Sequence, residues 1–176
     1  MSGHAWMRPV ENYWDNVAYV TEMNPRRDGK PGRHRFRLIR LASLLHRWVY
    51  QLSRGRAAGK FGKCNFLLLT TTGRRTGQSR TVPLLYLVDH GAYALVASYG
   101  GNPRAPAWLL NIRADPQVKL QIGSKRVTGV ARIAATEERA RLWDSFVSVY
   151  PGYDEYQAVS GRRIHVVLVQ PKEKRR

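Results

Sequence analysis

CNFLLLTTTGRRTGQSRTVPLLYLVDHGAYALVASY, residues 64–99, is the stretch whose reading decides the fold. It opens with an apolar run ending in β-branched residues, the composition of a buried strand. RTVPLLYLV resumes the strand pattern after a glycine-bracketed basic segment, and Pro83 implies an edge or bulge there. Asp89-His90-Gly91 reads as a turn, and AYALVASY as a third strand. Three strands therefore follow one another through short links, which favours antiparallel pairing.

The pattern continues downstream. GGNPRAP is a loop, and Ala107 to Arg113 fits a short helix with Pro106 near its first turn. QVKLQIG alternates, with Val118, Leu120 and Ile122 on one face, and Ser124-Lys125 connects it tightly to RVTGVARIA. Thr136 is placed to cap a helix whose first turn carries Glu137 and Glu138. That helix is expected to run to about Val149 and to stop at Pro151-Gly152, before a last strand, IHVVLVQ. The resulting order, βββαββαβ, predicts an α+β fold: a mainly antiparallel barrel with peripheral helices, and no βαβ alternation.

Upstream, residues 1–33 form an extension ending in NPRRDGKPGR, a charged Pro/Gly linker. Residues 34–59 form an amphipathic basic helix. Leu38, Leu41, Leu45, Trp48 and Leu52 fall on one face, with Arg33, Arg40, Arg47 and Arg54 opposite. Two roles are open to it: packing its apolar face on the domain, or lying on an anionic membrane with residues 33–54. Residues 60–171 make the barrel domain, and 172–176 a charged tail.

The 176 residues carry 30 Lys+Arg against 12 Asp+Glu, a net charge of +18, and the first 63 residues hold half of it. Such a field favours an anionic partner: nucleic acid, a membrane surface or a polyanionic small molecule. At 43% hydrophobic residues the chain can bury a core. A single cysteine, Cys64, excludes an internal disulfide. Five scattered histidines offer no metal-ligand spacing, so no metal is expected. Neither a signal peptide nor a transmembrane run is legible, which places the protein in the cytoplasm, with peripheral membrane contact open.

Three groups of residues have chemistry to offer. In TTTGRRTGQSR, Gly73 and Gly77 permit positive φ, so that backbone N–H groups can converge on an anion. Arg74, Arg75 and Arg80 add guanidinium forks and Thr76 a hydroxyl. A solvated basic turn and a phosphate site remain equal alternatives on composition. YPGYDEY spaces Tyr150, Tyr153 and Tyr156 three apart beyond a helix end, either lining a pocket or covering a barrel rim. Trp108 in AWLLN either flanks a planar ligand or fills the core. Ser98 either donates to a ligand or simply ends its strand.

Taken in order, TTTGRRTGQSRTVPLLYL, ALVASYGG, PAWLLNIRADPQVKLQIG and ATEERARLWDSFVSVYPGYDEYQ closely resemble the deazaflavin-dependent nitroreductase family. The resemblance spans roughly residues 60–171. It implies a split β-barrel of the FMN-binding type that uses reduced coenzyme F420 to reduce a quinone, a nitroaromatic or an activated enone. It implies that Arg74, Arg75, Thr76 and Arg80, with the backbone of Thr81, Val82, Pro83, Leu84 and Leu85, hold the cofactor's phosphate and acidic tail. Val96, Ala97, Ser98 and Tyr99, with Ala107, Trp108, Leu109, Leu110 and Asn111, would border the ring and its ribityl chain. Tyr150, Tyr153 and Tyr156 would face the acceptor beside Trp108, with Tyr153 as first choice of catalytic residue and Ser98 assisting. Tyr99 stands where the family often has lysine, a contact that Arg104 would replace. Rival readings are an FMN-dependent reductase on the same barrel, a cofactor-binding protein without turnover, and a nucleic-acid-binding module. The last is disfavoured because basic and aromatic residues do not interleave along exposed strands.

Overall fold

The computed structural model describes residues 47–50, 53, 59–61 and 64–172. Its strands are β1 (Lys60–Phe61), β2 (Cys64–Thr72), β3 (Ser79–Asp89), β4 (Ala92–Val96), β5 (Gln117–Ile122), β6 (Lys125–Ile133) and β7 (Val166–Pro171). Its helices are α1 (Ala107–Ala114), α2 (Thr136–Val149) and α3 (Gly152–Ser160), with a one-turn 3-10 helix at Tyr99–Gly101. All pairings are antiparallel. The order β1-β2-β3-β4-β7-β6-β5 closes through β2–β5, so β2 to β7 make a six-stranded barrel. The expected α+β barrel with peripheral helices is the fold found.

Strand alternation sends Leu67, Leu69, Leu95, Val118, Leu120, Ala131, Val167 and Val169 to the inside. Trp108, Leu109 and Ile112 of α1 join that interior cluster. A second cluster forms on the outer wall, where Leu85, Ala94, Val96, Val166 and Leu168 meet Leu142, Trp143 and Phe146 of α2 and Tyr153 of α3. Strands β4 and β7 are thus covered on both faces, which is why ALV and VVLV are uninterrupted apolar runs.

Several local expectations shift. The β3–β4 turn needs φ of 46° at His90 and 81° at Gly91, and the pairing of Asp89 with Ala92 leaves only those two residues in the link. The β5–β6 link is Gly123-Ser124 rather than Ser124-Lys125, since Lys125 already pairs with Ile122. Strand β4 stops at Val96, two residues before Ser98. Helix α2 is capped one residue earlier than expected: Ala135 is the N-cap, and its N–H donates to Glu138 Oε2 at 2.8 Å. Helix α2 ends at Val149 as expected, but a second helix follows at once: Pro151, with φ of −57°, starts α3, which carries Tyr153 and Tyr156. Pro83 pairs in register with Leu68 without a bulge, and β4 pairs with β3 only from Tyr86 onward. The opposite edge of β3 before Tyr86 is therefore open among the described residues, and there a missing N–H costs no ladder bond.

Of the N-terminal helix, residues 47–50 are described and helical; the rest of 1–59 lies outside the described residues apart from Ser53 and Gly59. Tyr50 is fully buried, and its hydroxyl accepts from Gly123 N–H at 2.7 Å and lies 3.1 Å from Phe66 O. Trp48 is 56% exposed. At this point the packed residue is Tyr50, whereas the sequence pattern put Trp48 on the packing face.

Candidate functional site

The basic turn spans Gly73–Gln78, between the end of β2 and the start of β3. Gly73 is required sterically: a Cβ there would meet Gln78 O at 2.9 Å. Gly77 takes φ of 68°. The turn is not the backbone nest that the glycines suggested. Thr76 and Gly77 donate their N–H groups to Gly73 O at 3.1 and 2.7 Å, and Gly73 donates to Gln78 O at 2.8 Å. Arg74 N–H is taken by Asn111 Oδ1 at 3.2 Å, and Gln78 N–H by Thr76 Oγ1 at 3.4 Å. With these amides committed, anion binding falls to the side chains. Arg74, Arg75, Thr76 and Arg80 are all exposed. None of the three arginines is in an ion pair among the described residues, and Arg80 Nη2 donates to Gln78 Oε1 at 3.0 Å. Unneutralised guanidinium groups gathered at one turn are a donor set suited to a phosphate or carboxylate.

Asn111 ties this turn to α1. It is 4% exposed, and its Nδ2 donates to the buried Thr71 Oγ1 at 3.0 Å while its Oδ1 receives Arg74 N–H. Its amide is therefore spent on the fold. Trp108 is 6% exposed and Leu109 fully buried, both in the barrel interior, so of the five predicted α1 residues only Ala107 and Leu110 present accessible side chains. On β3, Val82 and Leu84 pack against the inner core and Leu85 belongs to the outer one. Thr81 Oγ1 lies 2.8 Å from Thr70 Oγ1. Thr81 to Leu84 are half-buried, whereas Leu85, Val96 and Ala97 are buried, so a ligand along 96–97 would meet mainly backbone.

Ser98 begins a loop held in left-handed backbone: φ is 52° at Tyr99, 60° at Gly100 and 76° at Gly101. Gly101 sits where a Cβ would lie 2.7 Å from Val159 Cγ2 and 3.4 Å from Tyr156 Cα, so the loop packs directly on α3. Arg162, not singled out by the sequence, spans this loop with three hydrogen bonds to its carbonyls. Nothing in GRR at 161–163 distinguishes it from an ordinary basic loop.

The tyrosines form one cluster. Ring centroids lie 5.2 Å apart for Tyr150–Tyr153, 6.0 Å for Tyr150–Tyr156 and 6.3 Å for Tyr153–Tyr156. The hydroxyls of Tyr150 and Tyr156 are 3.1 Å apart, and both residues are half-buried. Tyr153 is 7% exposed, with its ring against Trp143 and Phe146. Burial, with smaller contributions from Tyr150 and Cys64, pushes its phenol pKa far upward. It stays a neutral hydrogen-bond donor and is no acid at neutral pH. Asn111 therefore ties the turn 73–78 to α1, while Arg162 and the Gly101 contact tie the Ser98 loop to α3.

A separate cavity of about 590 Å³ on the barrel includes Thr70, Thr81, Lys119, Lys125, Arg126 and Lys172 in its lining. It shares only Thr81 with the predicted residues. No group of metal-ligating side chains occurs among the described residues, and no described helix is long and apolar enough to cross a membrane.

Residues 43–171 match the family described as F420H(2)-dependent quinone reductase. The chain belongs to that family. It is an oxidoreductase of the F420H2-dependent class, and the match begins at residue 43, upstream of the barrel strands. An F420H(2)-dependent quinone reductase of Mycobacterium tuberculosis is 38% identical over 129 residues, covering 71% of this chain and 87% of that protein. Among solved structures, an F420-H2 dependent reductase, FDR-A, is 42% identical with a TM-score of 0.55, covering 60% of this chain and 93% of the other. A second, described as a domain-swapped dimer, is 36% identical with a TM-score of 0.58, covering 72% and 96%.

Proposed function

We propose that this reductase holds a deazaflavin at the Gly73–Gln78 end of the barrel and reduces a quinone or nitroaromatic acceptor beside the tyrosine cluster. The observation that carries the proposal is the donor set at the turn: three arginines with no carboxylate partner among the described residues, beside a strand edge that is open among them. When bound, reduced F420 supplies the hydride; the protein contributes binding, orientation and exclusion of water. Arg74, Arg75, Arg80 and Thr76 would hold the phosphate and acidic tail through side chains. The cations of the cavity next to Thr81 extend the positive surface available to a polyanion. A cofactor with several negative charges suits this surface better than the single phosphate of FMN, which favours the deazaflavin reading over that alternative.

The backbone of 81–85 would help hold the tail, and Ser98 with the backbone of 96–99 would border the ring, with Ala107 and Leu110 offering side-chain contact from α1. Trp108 would act from behind, as the packed floor that fixes α1. Tyr150 and Tyr156 present the more accessible phenols. Tyr153 would give a neutral hydrogen bond to charge developing on the acceptor, because its raised pKa opposes proton release. Peripheral contact with anionic membrane through residues 33–54 would bring a lipid-soluble quinone to this end. It is tested by vesicle co-sedimentation with and without residues 1–55, where equal binding would dismiss the idea.

The direct test follows loss of reduced F420 with menadione or a nitroaromatic, with NADPH as control donor, alongside fluorescence titration of F420 and FMN. The expected result is F420-dependent turnover and tighter binding of F420, weakened in the Arg74→Ala/Arg75→Ala double variant. Equal affinity of that variant for F420 would reject the turn as the anion clamp.

A further inference from the structure

We propose that Arg162 is a positioning residue that sets the geometry of the Ser98 loop facing the cofactor; this rests on the cofactor reading above. Its guanidinium spans the loop from end to end. Nη2 donates to Ala97 O at 2.9 Å and Ser98 O at 3.0 Å, and Nε donates to Asn102 O at 3.0 Å. Between those anchors lie three consecutive residues in left-handed backbone, including Tyr99, a residue type that seldom adopts it. Such a run persists only where its surroundings over-determine it. Arg162 supplies that constraint on one side and Gly101 against α3 on the other.

The peptide linking Ala97 to Ser98 is planar and trans. With Ala97 O turned toward Arg162, the N–H of Ser98 is turned away from it. The clamp thereby fixes which side of the loop offers a donor, next to the Ser98 hydroxyl that the cofactor reading uses.

Arg162 is itself held. Gly161 ends α3 with φ of 62°, and Arg162 O accepts from Gln157 Nε2 at 2.7 Å and Ser160 Oγ at 2.8 Å. Gln157 Oε1 in turn receives Arg139 Nη2 at 3.0 Å and Ile164 N–H at 2.9 Å. The clamp is thus braced from α2 and from α3, which carries Tyr153 and Tyr156. No carboxylate pairs with Arg162 among the described residues, and its buried Nη1 lacks a partner there. Among the described residues its guanidinium donates to the loop's carbonyls alone, so ion pairing does not explain the residue. The planar fork spreads its donors over separate nitrogens in fixed directions and so reaches carbonyls at both ends of the loop, which the three donors on the single nitrogen of a lysine do not span.

The test compares Arg162→Met and Arg162→Lys with wild type in the full chain. In unliganded ¹H–¹⁵N spectra, both variants should shift the amides of Ser98 to Gly101 while leaving the β5–β6 hairpin in place. F420 affinity should fall roughly ten- to a hundredfold in Arg162→Met and less in Arg162→Lys. KM for the acceptor should stay near wild type, and millimolar methylguanidinium should restore part of the affinity of Arg162→Met. Wild-type F420 affinity in a folded Arg162→Met, or loop amides that do not move, would overturn the proposal. Should Arg162→Met fail to fold, Arg162→Lys carries the same comparison. Should wild type bind no F420, the cofactor reading fails by itself, and the loop amides alone decide whether Arg162 sets the loop.

Discussion

Replacing Asn111 with alanine tests how the anion-binding turn is fixed to the barrel. The side chain is 4% exposed and makes two hydrogen bonds, to Thr71 Oγ1 at 3.0 Å and from Arg74 N–H at 3.2 Å. Losing each bond costs about 1 kcal/mol, and Thr71 Oγ1, in a residue 2% exposed, would lose this buried partner, adding about 1 kcal/mol more. The sum is about 3 kcal/mol, which lowers Tm by roughly 6–12 °C for a chain of this size. Urea unfolding and a thermal scan measure it, and F420 titration reads the looser turn as weaker binding. Thr71→Val closes a double-mutant cycle with Asn111→Ala, and the two changes should be clearly less than additive because they share one bond. A Tm within about 2 °C of wild type, which is under about 1 kcal/mol, would refute the view that this buried pair anchors the turn.

Tyr153→Phe keeps the ring contacts and removes a hydroxyl that bonds to no described residue, so Tm should barely change. On the proposed role, turnover should fall on the order of a hundredfold with F420 affinity intact; equal losses in both would remove Tyr153 from the chemistry. Gly101→Ala places a methyl 2.7 Å from Val159 Cγ2 at φ of 76°, and should cost about 2 kcal/mol or more, measured by chemical unfolding. Glu138 is held at about 2, below its ordinary 4.5, first by the Arg132 guanidinium and then by Ala135 N–H. A depressed carboxylate stabilises the fold above about pH 4.5 and loses that contribution as pH falls toward 2. Glu138→Gln should therefore flatten the acid side of the stability profile in that window, and an unchanged slope would show the pair contributes nothing.

The barrel was legible because strand composition is a local property. Apolar or alternating strands of 5–11 residues, several of them separated by His-Gly, Gly-Ser and the Gly-bracketed basic turn, favour antiparallel pairing through short links. The closing β2–β5 pairing and the crossover placing β7 beside β4 were not legible, because register between distant strands leaves no local mark. Pro151 marked the end of α2 correctly but not the start of α3: a proline that ends one helix equally starts another, and packing of Tyr153 on Trp143 and Phe146 accompanies the second.

The site divides the same way. By itself the sequence determined which chemistries are present and in what order: arginines at a turn, a serine after a strand, tyrosines three apart. Side-chain identity and local spacing suffice for that. Only the tertiary structure decided how each group is spent. It committed the N–H groups of Gly73, Arg74, Thr76, Gly77 and Gln78 to internal hydrogen bonds, buried Asn111 and Trp108 as supports, and sank Tyr153 into the outer core. It also brought Arg162 across the Ser98 loop, 64 residues away in the chain. Burial and hydrogen-bond assignment depend on partners remote in sequence, and those are fixed only when the barrel closes.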